Sequence, residues 1–96
     1  MSVSPSVAER LRRKFEAAFT PDELVIRDES AAHAGHSGAR EGGESHFRVR
    51  IVSAAFEGLS RVERQRRVYA AAEEEIAGGL HALALTTLTP QEAGRS

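Results

Sequence analysis

The stretch His46–Ser53 reads HFRVRIVS, and its strict alternation decides the fold. Phe47, Val49 and Ile51 take one phase while His46, Arg48 and Arg50 take the other, the period-two pattern of a strand with one buried and one wet face. Upstream, Glu23 to Asp28 (ELVIRD) is a second short β-rich run. Between the two runs Gly35, Gly38, Gly42 and Gly43 break regular structure. The connection is therefore about sixteen residues long, well beyond a tight hairpin turn, and connections of that length are usually functional or disordered.

Further out, the pattern turns helical. Ser4-Pro5 predicts a helix start with Ser4 as N-cap and proline in the first turn, and Val7, Leu11, Phe15, Ala18 and Phe19 then form one apolar stripe up to Thr20-Pro21. Ser60 and Glu63 have capping-box spacing ahead of a helix to about Ile76, with Val62, Tyr69, Ala72 and Ile76 on its inner face, and Gly78-Gly79 ends it. His81 to Leu88 (HALALTTL) reads as a third strand, and Thr89-Pro90-Gln91-Glu92 opens a short last helix. The order α-β-β-α-β-α makes an α+β two-layer sandwich, a three-stranded mixed sheet covered by helices on one face. The helical crossover means that the second and third strands, if adjacent, run parallel with a right-handed connection. The expected core is Leu11, Phe15, Leu24, Ile26, Phe47, Val49, Ile51, Tyr69, Leu83 and Leu85.

Ninety-six residues suit one domain, here taken as 1–96, with one modest core. A net charge of −1 supplies no global field toward nucleic acid or membrane, so charged recognition has to be local. Zero cysteines exclude a disulfide framework, a cysteine zinc finger, a self-contained iron–sulfur site and a thiol nucleophile. The N-terminus lacks a signal-peptide pattern and no stretch approaches a membrane span, so a soluble cytoplasmic chain is expected.

Three of the four histidines, His33, His36 and His46, lie in or beside the glycine-rich connection; the fourth, His81, follows Gly78-Gly79-Leu80. His33 and His36 are spaced to chelate, but a transition metal wants about four ligands, so two imidazoles are an incomplete set. His46 is placed by strand phase on the outer face. In the second helix Arg61, Arg64, Arg66 and Arg67 crowd the start and Glu73, Glu74 and Glu75 the end, against the helix dipole. Local rules fail most often at functional sites, and an arginine cluster after the turn Phe56-Glu57-Gly58 suits phosphate or carboxylate groups of a partner. These arginines are expected to serve a partner more than the fold. GHSG (Gly35–Gly38) matches a GxxG nucleic-acid clamp in spelling, but it sits between strands instead of helices. No nucleophile triad, P-loop or close pair of acids points to an enzyme.

The segments DESAAHAGHSG, ESHFRVRIVS, FEGLSRVERQRRV and GGLHALALTTLTPQE together resemble the BolA family, over about Val7 to Glu92. The F-x-G-x5-R-x-R-x-V signature is matched by Phe56, Gly58, Arg64, Arg66 and Val68; Gln65 stands where many members have histidine. The resemblance implies a fold like a class II KH domain without a functional GxxG. It also implies a heterodimer with a monothiol glutaredoxin sharing a [2Fe-2S] cluster, in iron–sulfur trafficking or iron and redox regulation. On that likeness His81 and His33 are the metal ligands, with His36 the alternative on the same loop. Glutaredoxin cysteine and glutathione would supply the thiolates. Some family members are described as DNA-binding transcriptional regulators, which makes DNA a second partner class read by the arginine-rich helix. A second copy of the chain is a third partner to test for the isolated protein.

Overall fold

The computed structural model describes residues 6–29, 46–80 and 82–94. The elements are α1 (Val7–Phe19), β1 (Glu23–Asp28), β2 (His46–Val52), a 3-10 turn (Ala54–Phe56), α2 (Arg61–Ala71), α3 (Glu73–Ala77), β3 (Ala82–Leu88) and α4 (Pro90–Gly94). Strand order is β1-β2-β3, with β1 antiparallel and β2–β3 parallel, as the crossover requires. Among the described residues no helix is long and apolar enough to cross a membrane.

β2 takes the phase its alternation demands. Phe47, Val49 and Ile51 are all but fully buried, and Arg48 is exposed on the other side. On this inner face pack Leu11, Phe15 and Phe19 of α1, Phe56 of the 3-10 turn, Val68 and Ala72 of the second helical region, and Leu80 and Leu83. Leu24, Ile26 and Leu85 complete the cluster as partly buried neighbours. Phe19 bridges the aromatic side of the core, with ring centroids 6.3 Å from Phe15 and 5.1 Å from Phe56.

The N-cap of α1 is Ser6, whose hydroxyl accepts from the Glu9 N–H at 3.1 Å, so the helix starts two residues later than a Ser4 cap would place it. At its far end Thr20 takes the left-handed conformation and its N–H returns to the Glu16 carbonyl. Ala18 of the expected stripe is exposed. The buried hydroxyl of Ser53 donates to the Phe19 carbonyl at 2.6 Å and accepts from the Ala55 N–H, while its own N–H bonds the Leu88 carbonyl. One small residue thus satisfies the end of α1, the end of β3 and the turn after β2.

The expected helix to Ile76 is broken at Ala72 (φ −102°, ψ 15°) into α2 and α3. Its buried line is also one residue off from the apolar spacing. Val68, Ala72 and Glu75 face inward, whereas Val62, Tyr69 and Ile76 are 56%, 42% and 39% exposed, so Tyr69 is corrected from core to surface. The inward carboxylate explains the shift. Glu75 has no exposed side-chain surface and meets two cations of α1, Lys14 at 2.9 Å and Arg10 at 3.3 Å. A buried charge so paired is tolerated where an unpaired one would not be. Lys14 also binds Glu74 at 2.6 Å, and these carboxylates hold its pKa above the ordinary value, Glu74 most. The break further places Glu73, Glu74 and Glu75 in the first turn of α3. The acidic run therefore sits at a favourable helix end, and only the arginines of α2 remain against the dipole.

Arg64 corrects a second expectation. Its guanidinium, 12% exposed, donates from Nε to the Leu59 carbonyl (3.0 Å) and from Nη1 to the Thr87 carbonyl (3.1 Å). Nη1 and Nη2 also grip both oxygens of Glu92, at 2.7 and 3.3 Å, and the charge lies 6.0 Å from the Phe56 ring centroid. Glu92 in turn closes the capping box of α4 with Thr89. Arg64 is thus a fold residue tying the turn before α2 to the end of β3 and to α4, and it is withdrawn from the free cations.

Two outcomes follow from this joint. Arg64→Ala should cost about 2 kcal/mol or more in urea unfolding, since it strips charged hydrogen bonds from part-buried carbonyls, whereas Arg66→Ala and Arg67→Ala should each stay within about 0.5 kcal/mol. The Glu92 carboxyl is held down to about 2 from 4.5, first by Arg64 and then by the Thr89 N–H. A depressed carboxylate contributes stability that is complete above its unfolded value and lost as pH falls from about 4.5 toward 2. Thermal melts across that window should therefore fall less steeply with acid for Glu92→Gln than for the wild type.

Candidate functional site

The topology gathers three points of the chain at one end of the sheet. Because β2 and β3 are parallel, both begin there, with His46 in register with Ala82; β1, antiparallel, ends there, with Asp28 opposite Phe47. The Glu29 N–H donates to the His46 carbonyl at 2.8 Å and closes the ladder. The segment 30–45 therefore leaves and re-enters the sheet at the end where residue 81 joins β3 through Ala82. His33, His36 and His81 themselves lie outside the described residues. His46 is half-buried on the outer phase of β2, the side away from the helices, as its alternation with Phe47 requires.

The approach to residue 81 is stiff. The Gly78 N–H bonds the carbonyls of Glu74 and Glu75, the Leu80 N–H bonds the Glu75 carbonyl at 3.1 Å, and Leu80 is 7% exposed in the core. Gly79 sits at φ 124°, a conformation that side-chain-bearing residues rarely adopt. Since Glu75 is itself clamped to α1, the turn that delivers residue 81 is anchored on both sides.

Beside this turn Tyr69, Ile76, Leu80, Ala82 and Leu83 line an apolar groove of about 460 Å³. Tyr69 Oη donates to the Leu83 carbonyl at 3.3 Å. Together with Arg64 on Thr87 it occupies two carbonyls of the edge strand β3, which blunts that edge against strand addition. Sequence reasoning missed this groove because Tyr69 and Ile76 at helical spacing read as core. The one signal available was that Val62, Tyr69 and Ile76 repeat every seven residues on a stripe distinct from Val68, Ala72 and Glu75.

Of the four arginines singled out in the sequence, Arg61, Arg66 and Arg67 are exposed on α2 and only Arg64 is built into the fold. Arg66 and Arg67 flank Glu63, whose carboxyl is held below its ordinary value first by the Ser60 N–H and less by these two charges. Arg61 borders a separate hollow of about 230 Å³ with Gln65, Leu85 and Thr87. Among the described residues no group of three or more His, Asp or Glu side chains could hold a metal, and the chain has no cysteine.

Comparison with known proteins follows the same lines. A family profile described as BolA-like protein matches residues 15–92. Protein BOLA1, chloroplastic, of Arabidopsis thaliana is 48% identical over 88 residues, covering 90% of this chain and 55% of that protein. SufE-like protein 1, chloroplastic/mitochondrial, of the same plant is 45% identical, with 86% of this chain matching 24% of that protein. The DNA-binding transcriptional regulator BolA of Haemophilus influenzae is 40% identical, with coverage of 91% and 81%. The chain thus spans about a quarter to just over half the length of the two plant relatives. A solved structure of BolA1 from Arabidopsis thaliana superposes with a TM-score of 0.82 at 44% identity, covering 95% of this chain and 98% of that one. Sequence profile, relatives and backbone agree: the chain belongs to the BolA-like family.

Proposed function

We propose that this chain is a binding partner, and not a catalyst, which contributes an imidazole half-site to a [2Fe-2S] cluster shared with a monothiol glutaredoxin and glutathione. His81 and His33 are the ligands in this reading, with His36 the alternative to His33. The observation that carries it is topological: the two ends of segment 30–45 and the start of β3 fall at one end of the sheet, beside an apolar groove. With no cysteine in the chain, both thiolates would come from outside it, one from glutaredoxin and one from glutathione. When bound, such a cluster supplies one-electron redox chemistry and a store of iron and sulfide, and imidazole in place of thiolate raises its potential. The chain's own residues anchor the turn Gly78-Gly79-Leu80 that precedes His81 and offer Tyr69, Ile76 and Leu83 as a docking wall. Its task would lie in iron–sulfur trafficking or in iron and redox regulation, in keeping with relatives that include a SufE-like protein.

A second reading, a DNA-binding regulator, is favoured by the name of the Haemophilus influenzae relative and by exposed Arg61, Arg66 and Arg67. Three cations on a chain of net charge −1 supply only a short phosphate footprint.

Anaerobic reconstitution with glutaredoxin and glutathione, read by UV–visible CD, separates the ligands. The expected damage runs His81→Ala greatest, His33→Ala clear, His36→Ala slight and His46→Ala least. A wild-type spectrum from His81→Ala would remove the shared site, and loss from His36→Ala alone would move the loop ligand by three residues. In the same assay Arg66→Glu with Arg67→Glu should leave the melting temperature unchanged while weakening a partner in a salt-dependent way. Loss toward DNA and not toward glutaredoxin would favour the regulator.

A further inference from the structure

Among the described residues the sheet carries helices on one face only, and its other face holds Arg27, Arg48 and Arg50. Register sets Arg27 directly opposite Arg48 and Val25 opposite Arg50, with Ala84 and Thr86 of β3 beside them. Like charges in directly opposed cross-strand positions are destabilising, so this arrangement costs the fold something. Glu29 pairs with Arg48 at 3.1 Å and Glu23 with Arg50 at 2.8 Å, both at Nε. The Arg27 side chain has no hydrogen bond or ion pair among the described residues. Three arginines against two glutamates leave the face net positive around a shallow hollow of about 270 Å³ floored by Val25 and Thr86. Val25 is 39% exposed, and Ala82 and Ala84 keep the β3 side low and open.

We propose that this open sheet face docks an acidic segment of a partner protein, whose carboxylates neutralise Arg27 and the Arg27–Arg48 pair. Charge selects the occupant. A second copy of the chain, meeting this face about a two-fold axis, would set the arginine cluster against itself. A single-stranded nucleic acid would find no Phe, Tyr or Trp here to stack on, and one net charge releases few counterions. A low floor of Val, Ala and Thr under forked guanidinium donors suits a polypeptide bearing carboxylates, which arginine binds in bidentate fashion. The parallel pair β2–β3 adds a reason for a cover, since parallel strands are commonly buried on both faces. This surface lies on the side of the sheet away from α2 and its groove, so the proposal does not rest on the glutaredoxin reading.

The test is an NMR titration of the ¹⁵N-labelled full chain with a synthetic peptide of alternating glutamate and threonine. Shifts should centre on Val25, Arg27, Arg48, Ala84 and Thr86. Arg27→Glu should weaken binding at least about five-fold, with Arg27→Gln intermediate. Neither variant should lower the melting temperature, because each relieves the Arg27–Arg48 repulsion. Shifts confined to Arg61, Arg66 and Arg67, or wild-type affinity in Arg27→Glu, would overturn the proposal. Tighter binding of an oligothymidylate at the same residues, lost in Arg27→Glu, would also overturn it in favour of a nucleic-acid face.

Discussion

The constraint on which the rest depends is the double duty of β2. It is the central strand, bonded to β1 on one edge and β3 on the other, so neither its register nor its phase can slip without loss on both sides. Its inward residues, Phe47, Val49 and Ile51, are the floor on which α1 and Phe56 pack. Its outward residues, Arg48 and Arg50, give the opposite face its charge. A one-residue slip would bury the arginines and expose the core at once, so the hydrophobic effect and the cost of burying charge enforce the same register.

From that strand the place of the proposed site follows by connectivity. A parallel β3 has to start where β2 starts, and an antiparallel β1 has to stop there, so Glu29, His46 and Ala82, the residues that flank segment 30–45 and residue 81, share one end. Polar joints hold that frame. Ser53 gathers the ends of α1 and β3, Arg64 ties β3 to α4, and Glu75 fastens the turn before residue 81 to Arg10 and Lys14. The Ser53 and Arg64 joints satisfy backbone carbonyls at element ends, and the Glu75 joint sets a buried carboxylate against two cations.

What could be read from the chain beforehand tracks how local its cause is. The β2 alternation, the capping boxes at Ser60 and Thr89, and the parallel crossover were legible because their causes lie within a few residues. The inner face of α2 was not, since Tyr69 and Ile76 are more apolar than Ala72 and Glu75, and the ion pairs that allow Glu75 to be buried come from α1. Arg64 was indistinguishable from Arg66 and Arg67 in a row of arginines, because its acceptors are backbone carbonyls brought near only by folding. Arg27 drew no notice for the same reason: its opposition to Arg48 exists only once the register is known. The candidate ligands His33 and His81 were recognised through family resemblance, and the physical layout adds the common end of the sheet where their segments meet.

In the proposed complex this chain gives imidazole, and no thiolate, to a shared cluster. The most direct measurement is pulsed EPR on the reduced cluster assembled with glutaredoxin, glutathione and this chain labelled with ¹⁵N only at histidine. Histidine ligation should give ¹⁵N couplings of directly bound nitrogen that disappear when the label is withheld from this chain. A reduced [2Fe-2S] spectrum without any ¹⁵N coupling from it would rule out imidazole ligation by this chain, because the cluster would then be held without its histidines.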